Sequence, residues 1–351
     1  MAIESGLRGV LWKGATRIMR VIVVGGTGNI STGIVKAMLE FGHEVVVFTR
    51  GQRKSELPDE VSYITGDRKD RAAFEASMQV QAFDAAIDMI SYDRADAASA
   101  IRAFRGVKHY IHCSTVCTYG GPLAELPATE ECELRPINDY GRGKVAADEL
   151  LLQAHADGLL PVTIMKPAHT FGPSWAVLGQ LGAGGWLDRV EKGKPIIVSG
   201  DGTNLWSVCS SDDVGLGFAG ALGREACFGQ IYNITHPHFM SWDEYHTRAA
   251  AAIGCAIEIV HVPADLLLAV APDRCALLQS QTQWHQCYDV GKLMRDVPEF
   301  RPRVSFEDAV VASYEAAAAR GKAENGDDST WEDEIIAAQR ELADRLGRAV
   351  S

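Results

Sequence analysis

The stretch VIVVGGTGNISTGIV, residues 21–35, limits what this chain can fold into more than any other. Val21–Val24 is an unbroken run of β-branched residues, the pattern of a strand buried on both faces. Two glycines, Gly25 and Gly28, then interrupt it. From about Thr32 to Phe41 the apolar residues return at helical spacing. A strand, a glycine turn and a helix in this order open a parallel βαβ unit. Gly25 permits the tight turn. Gly28 lets the backbone approach a pyrophosphate resting on the helix N-terminus. Thr27, Asn29 and Ile30 share that turn and are expected at the same ligand. The third glycine of the usual fingerprint is replaced by Ser31, with Gly33 two residues on, which loosens the pattern.

Further strands are expected in HEVVVFTR, VSYITGD, FDAAIDMI, VKHYIHCST and PVTIMKPA, most of them separated by helical patterns. Their regular alternation with helices predicts an α/β chain: a Rossmann-like, doubly wound parallel sheet with helices on both faces. This unit is expected over 19–172, with 208–235 contributing. After about residue 172 the texture changes to loop-rich and irregular, and a smaller C-terminal substrate lobe is expected over 173–320. Residues 321–351 read as a linker, GKAENGDD, and a charged helix with Ile335, Ala338, Leu342 and Leu346 on one stripe. That helix would dock on the body or on a partner subunit, so a homodimer is open. Residues 1–18 read as an extended start outside the fold.

Composition excludes several functions. Apolar residues make up 47 % of 351, enough for a large folded core. The formal charge of −12 argues against nucleic acid and anionic membrane surfaces, both of which select for Lys and Arg. No apolar run reaches the roughly 18 residues of a membrane span, and the first residues lack a secretory apolar segment. The eight cysteines form no CxxC pair or zinc spacing, so reduced thiols in a cytoplasmic protein are expected. His236 and His238 lack a second ligand cluster nearby, and no metal is expected.

The second strand ends in FTRGQRK, with Arg50, Arg53 and Lys54 and no carboxylate to hold a ribose 2′-hydroxyl. Three cations suit a 2′-phosphate, which favours NADP and leaves NAD possible. Asp67, after the third strand, either meets the adenine ring or caps the next helix. Further on, Tyr140 and Lys144 stand four apart at the start of a helix, on one face. Free tyrosine, with a pKa near 10, is too weak a base at neutral pH. A neighbouring ammonium and an oxidised nicotinamide would bring it into range, while Thr115 at the end of the fifth strand binds the substrate oxygen.

The stretches GGTGNIS, GD at 66–67, STVCTYG, YGRGK, KPAHTFGP and GDGTNLWSVCSSDDV resemble the extended short-chain dehydrogenase/reductase superfamily, in its NAD(P)-dependent epimerase/dehydratase branch. They follow the family's order from about residue 20 to 315. The resemblance implies Tyr140 as general base, Lys144 as its support and Thr115, rather than Ser114, as the catalytic hydroxyl. It also implies cofactor contacts at Lys166 and Pro167. Where related dehydratases carry an Asp-Glu pair, this chain has Val116 and Cys117, and Cys117 would serve as a base only with its thiolate favoured. Where relatives grip a diphosphate with arginine, it has Trp206 and SQTQWHQ, which contains Trp284. The substrate is therefore expected to be sugar-like without a diphosphate, stacked on Trp206 and Trp284. His169 replaces an asparagine and would bind a hydroxyl or act as a second acid/base. Ser91, Tyr92 and Asp93 are expected to face the same cleft. The leading expectation is oxidation of a sugar hydroxyl to a transient ketone, coupled to epimerisation or dehydration. The alternative is an NADPH-dependent ketone reductase that releases its cofactor. A third, suggested by RNA-binding chloroplast relatives, is opposed by the acidic charge.

Overall fold

The computed structural model of the chain describes residues 18–52, 57–172, 177–182, 185–319 and 330–350. The extended start up to residue 17, Arg53, Lys54 and the linker GKAENGDD lie outside the described residues.

The leading half alternates strand and helix: β1 (Arg20–Val24), α1 (Asn29–Glu40), β2 (Glu44–Thr49), β3 (Ser62–Thr65), α2 (Arg71–Gln79), β4 (Ala85–Asp88), α3 (Arg94–Ala103), β5 (His109–Cys113), α4 (Asp139–Ala156) and β6 (Val162–Pro167). Then come β7 (His169–Phe171), α5 (Trp186–Glu191), β8 (Ile196–Ser199), β9 (Leu205–Trp206), β10 (Val208–Ser210), α6 (Ser211–Ala221), β11 (Ile231–Ile234), β12 (Met240–Ser241), α7 (Trp242–Ala252), β13 (Ile259–Val262), α8 (Ala264–Val270), α9 (Gly291–Asp296), α10 (Phe306–Ala319) and α11 (Trp331–Val350).

Seven strands form one sheet in the order β11-β6-β5-β4-β1-β2-β3, every pair parallel. The order reverses between β1 and β4, and the crevice at the carboxyl ends of these strands is where such a sheet receives ligands. Because successive strand residues face opposite ways, the unbroken apolar runs feed two cores. Val21, Val23, Val45 and Val47 pack with α1 and α6 on one face. Ile22, Val24, Val46 and Phe48 pack with α2, α3 and α4 on the other.

Ser31 and Gly33 divide the work of the missing third glycine. Ser31 Oγ accepts from the Gly28 amide at 2.7 Å and donates to the Gly25 carbonyl at 2.8 Å, stitching the turn closed. Gly33 is where α1 crosses α6: a Cβ there would lie 2.0 Å from the Ser211 carbonyl oxygen. The crossing therefore tolerates no side chain at that point.

A third, aromatic core joins Phe171, Trp186, Trp206, Trp242 and Tyr245 between the β7–β10 and β9–β12 pairs and α7. The parallel β8–β13 pair carries a further cluster onto which α11 docks. On α11, Ile336 is buried and Ile335 of the expected stripe packs partly buried on the same cluster, while Ala338, Leu342 and Leu346 stay exposed. Polar contacts fix this docking: Arg189, buried on α5, pairs with Asp333 at 2.6 Å and Glu332 at 3.5 Å. Among the described residues no helix is long and apolar enough to cross a membrane.

Candidate active site

Two adjoining cavities open at the sheet's reversal point, and Gly25, Gly28, Ile90 and Tyr92 line both. Gly25 adopts φ +83°, and a Cβ on it would strike Ile90 at 2.7 Å. Gly28 caps α1 without a side chain, and the first turn of that helix carries no acidic residue. The helix thus presents bare backbone N–H groups and its positive end to the cleft. These features fit a dinucleotide with its pyrophosphate over the turn. Asn29 and Ile30 line the larger cavity, and Asn29 reaches across to donate to the Thr170 carbonyl at 2.7 Å.

The smaller cavity, of about 380 Å³, is lined by Thr27, Arg50, Gln52, Asp67, Arg68 and Lys69 among others. Asp67 accepts from the Lys69 amide at 2.9 Å, and the cap of α2 is Asp70, so Asp67 is not the helix cap. Arg68 was not singled out from the sequence. Its guanidinium is buried, bonded to Asp88 at 3.2 Å and to the Asp96 carbonyl at 2.7 Å. Its only sequence signal was its place directly after the GD pair.

The larger cavity, of about 500 Å³, brings Thr115, Cys117, Tyr140, Lys144, Pro167, His169 and Trp206 to one surface. Helix α4 delivers two of them. Asn138 caps it by accepting from the Gly141 amide at 2.8 Å, so Tyr140 falls in the first turn and Lys144 one turn on. Gly141 and Gly143 let this turn press against the strand ends: Cβ atoms there would meet the Cys117 carbonyl at 2.8 Å and the Tyr92 carbonyl at 2.5 Å. Two glycines early in a helix cost about 1 kcal/mol each, and that apparent defect is the signal of a close approach. Lys144 Nζ donates to the Ser91 carbonyl at 2.9 Å and to the Cys113 carbonyl at 2.5 Å. The buried ammonium is thereby tied to the ends of β4 and β5.

Of the two adjacent hydroxyls, Ser114 donates to Asp148 at 2.7 Å, while Thr115 Oγ1 accepts from the Cys117 amide at 3.2 Å. Burial raises the Tyr140 phenol above its ordinary range, with Cys113 and Cys117 adding to this and a hydrogen bond with Thr115 opposing it. Lys144 is pushed down, first by burial. In the protein alone, burial rather than the neighbouring ammonium governs the phenol, which is protonated at neutral pH.

Several expected contacts fall elsewhere. Burial pushes the Cys117 thiol up, which removes the condition under which it could be a base. Burial pushes His169 down to about 4, so it is neutral near pH 7 and does not titrate there; its Nε2 has no partner, and its ring lies 5.7 Å from that of Trp206. Tyr92 lines the cleft, with its ring 6.2 Å from that of Tyr140. Ser91 contributes its carbonyl to Lys144, and its own side chain is fully buried away from the cavity. Asp93 caps α3 by accepting from the Asp96 amide at 2.8 Å and lines neither cavity. Lys166 is buried 3.7 Å from Asp148 with its Nζ over the Tyr119 ring, not at the cleft surface. Trp284 packs over Gly121, where a Cβ would meet its ring at 2.4 Å, and lies outside the cavity lining; Gln281 and Leu277 stand there instead. Sequence spacing does not say which way a side chain points: Lys166 lies within β6 and turns to Asp148, whereas Asp93 is taken up in capping α3.

A doubly wound sheet, a bare helix terminus and a phenol–ammonium pair over one cleft define an NAD(P)-dependent enzyme of the short-chain dehydrogenase type. The chain belongs to the NAD dependent epimerase/dehydratase family, whose profile matches residues 21–235. It is 31 % identical over 309 residues, 86 % of this chain and 87 % of the other, to 2'-dehydrokanamycin reductase of Streptomyces kanamyceticus. It is 26 % identical over 269 residues, 72 % of this chain and 68 % of the other, to the chloroplast stem-loop binding protein of 41 kDa b of Arabidopsis thaliana. Its fold matches a UDP-glucose-4-epimerase of Stenotrophomonas maltophila, solved with bound NAD and formylated UDP-arabinopyranose, at TM-score 0.71 and 18 % identity over 87 % of this chain and 99 % of that one.

Proposed function

We propose that this chain reduces a ketone on a sugar-like substrate that carries no nucleoside diphosphate, with NADPH as cofactor. The observation that carries the reading is geometric: the Tyr140 phenol, the Thr115 hydroxyl and the Lys144 ammonium meet at one cleft whose far wall, among the described residues, holds no cation. A protonated phenol is an acid, which is what carbonyl reduction needs. The bound nicotinamide supplies the hydride.

The chain's own residues do the rest. Thr115 and Tyr140 hold the carbonyl oxygen, and Tyr140 gives it a proton as it becomes a hydroxyl. Lys144, fixed by two carbonyls, keeps positive charge beside the phenol and offsets the negative charge left on it. Gly25, Thr27, Gly28, Asn29 and Ile30 hold the pyrophosphate. Arg50, with Arg53 and Lys54 close by in sequence, favours the 2′-phosphate of NADP.

In the substrate half, the described lining residues Ala168, His169, Thr170, Leu178, Trp206, Leu277 and Gln281 include no cation. A dianionic diphosphate would find no bidentate partner among them. The similarity, over 86 % of this chain, to 2'-dehydrokanamycin reductase supports the same substrate class, a keto-glycoside. A second reading, epimerisation through a transient ketone with the cofactor retained, is supported by membership in the epimerase/dehydratase family. The −12 charge weighs against RNA as a partner.

The test is stoichiometry. Purified protein is assayed in two arms, with NADPH on a panel of keto-glycosides and without added coenzyme on the corresponding hydroxy-glycosides, and coenzyme oxidation is compared with product. One NADPH consumed per product selects reduction. Conversion without any added or consumed coenzyme selects epimerisation.

A further inference from the structure

Tyr140, Lys144 and Asp148 recur at four-residue intervals on α4, so one helix face carries all three. Asp148 lies beneath the cleft, 3 % exposed, and touches neither cavity. Its Oδ2 accepts from Ser114, the residue before Thr115, at 2.7 Å, and lies 3.7 Å from Lys166 Nζ. His112 Nε2 stands 3.4 Å from its Oδ1 without hydrogen-bond geometry. Groups from every side thus converge on one carboxylate. His112 and Cys113 come from β5, Tyr119 from the following turn, Lys166 from β6 and Lys144 from its own helix. A carboxylate buried this deeply is costly unless its charge is used.

We propose that Asp148 is a positioning residue of the reaction: it ties the Ser114–Thr115 segment to the catalytic helix and supplies the negative charge shared by Lys144 and Lys166. The inference rests on the reading of Tyr140, Lys144 and Thr115 given above. Two consequences follow from the geometry. The tether sets Thr115 against Tyr140, because Ser114 and Thr115 are adjacent and Asp148 is held rigidly within α4. Burial pushes Lys144 down, and the Asp148 charge is among the groups that oppose this. Burial raises Asp148 itself to about 6, so acid neutralises it just below physiological pH.

Three variants separate tether from charge. Asp148→Asn keeps an acceptor for Ser114 and removes the charge, Asp148→Glu restores the charge, and Ser114→Ala removes only the tether. With NADPH and a methyl keto-glucopyranoside as the probe ketone, Asp148→Asn is expected to lower kcat about 30-fold, with KM and NADPH affinity within about threefold of wild type. Wild type is expected to show an acid limb of kcat near pH 6 that disappears in Asp148→Asn and returns in Asp148→Glu; a wild type without that limb overturns the charge role. Ser114→Ala should lower kcat about tenfold and keep the limb.

Crystal structures and melting give readouts that need no substrate. In Ser114→Ala, Thr115 should move away from the Tyr140 hydroxyl. Because the folded-state value of Asp148 is raised, its contribution to stability is present at low pH and lost as pH rises through about 6. The Tm of Asp148→Asn relative to wild type should therefore rise between pH 5 and pH 7.5. Wild-type kcat with an intact acid limb in Asp148→Asn, or an unmoved Thr115 in Ser114→Ala, overturns the inference. Should Asp148→Asn fail to fold, the position of Thr115 and the rate of Ser114→Ala decide. Wild-type turnover in Tyr140→Phe would instead overturn the underlying reading of the site.

Discussion

The two halves of the cleft are built by different means. The half proposed for the dinucleotide is shaped largely by backbone: a glycine turn, a bare helix end, and two strand-end carbonyls that clamp Lys144. The substrate half is made of side chains from β7, β9 and the segment around Gln281, resting on an aromatic core. Backbone geometry tolerates few substitutions, whereas a side-chain wall can change at each position without disturbing the sheet. The comparison teaches that the chemistry is held rigid while the specificity is left free to vary.

The largest effect that would break this contrast is at Tyr140. Tyr140→Phe is expected to lower turnover by about 10³-fold, with dinucleotide affinity unchanged by tryptophan quenching. A wild-type rate would mean that the phenol moves no proton. Lys144→Met should cost about 10²-fold in kcat, since it strands the Ser91 and Cys113 carbonyls and removes the charge beside the phenol. If only KM changed, the clamp would be a binding contact alone.

A third prediction sharpens the contrast through stability. Burial lowers His169 and His246 to about 4, below their ordinary value of 6.5. Their contribution to stability is thus present above pH 6.5 and is lost as pH falls through about 4. Each is worth on the order of 3 kcal/mol at full effect. Both belong to the substrate side, so thermal melts should weaken steadily over that window while kcat shows no His169 inflection near neutrality. The smallest effect is at Arg50. Arg50→Ala should weaken NADP⁺ about tenfold, near 1.4 kcal/mol, and leave NAD⁺ unchanged. Equal losses for both coenzymes would remove the argument for a 2′-phosphate grip.

The same division explains what could be read in the sequence. The glycine turn, the parallel strands and the Tyr140–Lys144 spacing were legible because each follows from backbone sterics or helical period. Lys166 and Trp284 are expected at the cleft from the family resemblance, and Ser91 and Asp93 from their place after the fourth strand, and the structure turns their side chains elsewhere. Trp284 sits over Gly121, a contact between segments far apart in sequence that no local pattern encodes. On α11 the apolar stripe had the correct period, yet Arg189 anchors Glu332 and Asp333, and Ile336 rather than Leu342 or Leu346 is buried. The Ser114–Asp148 tether escaped notice for the opposite reason. Asp148 falls at an ordinary helical position, and only the folded chain brings His112 and Lys166 to it.

A crystal structure with NADP⁺ bound tests the central claim most directly. The account predicts the pyrophosphate across Gly25 and Gly28, the ribose phosphate toward Arg50, and the nicotinamide face within reach of the Tyr140 hydroxyl. A dinucleotide seated elsewhere, or a nicotinamide separated from Tyr140 by the width of the cleft, would contradict it.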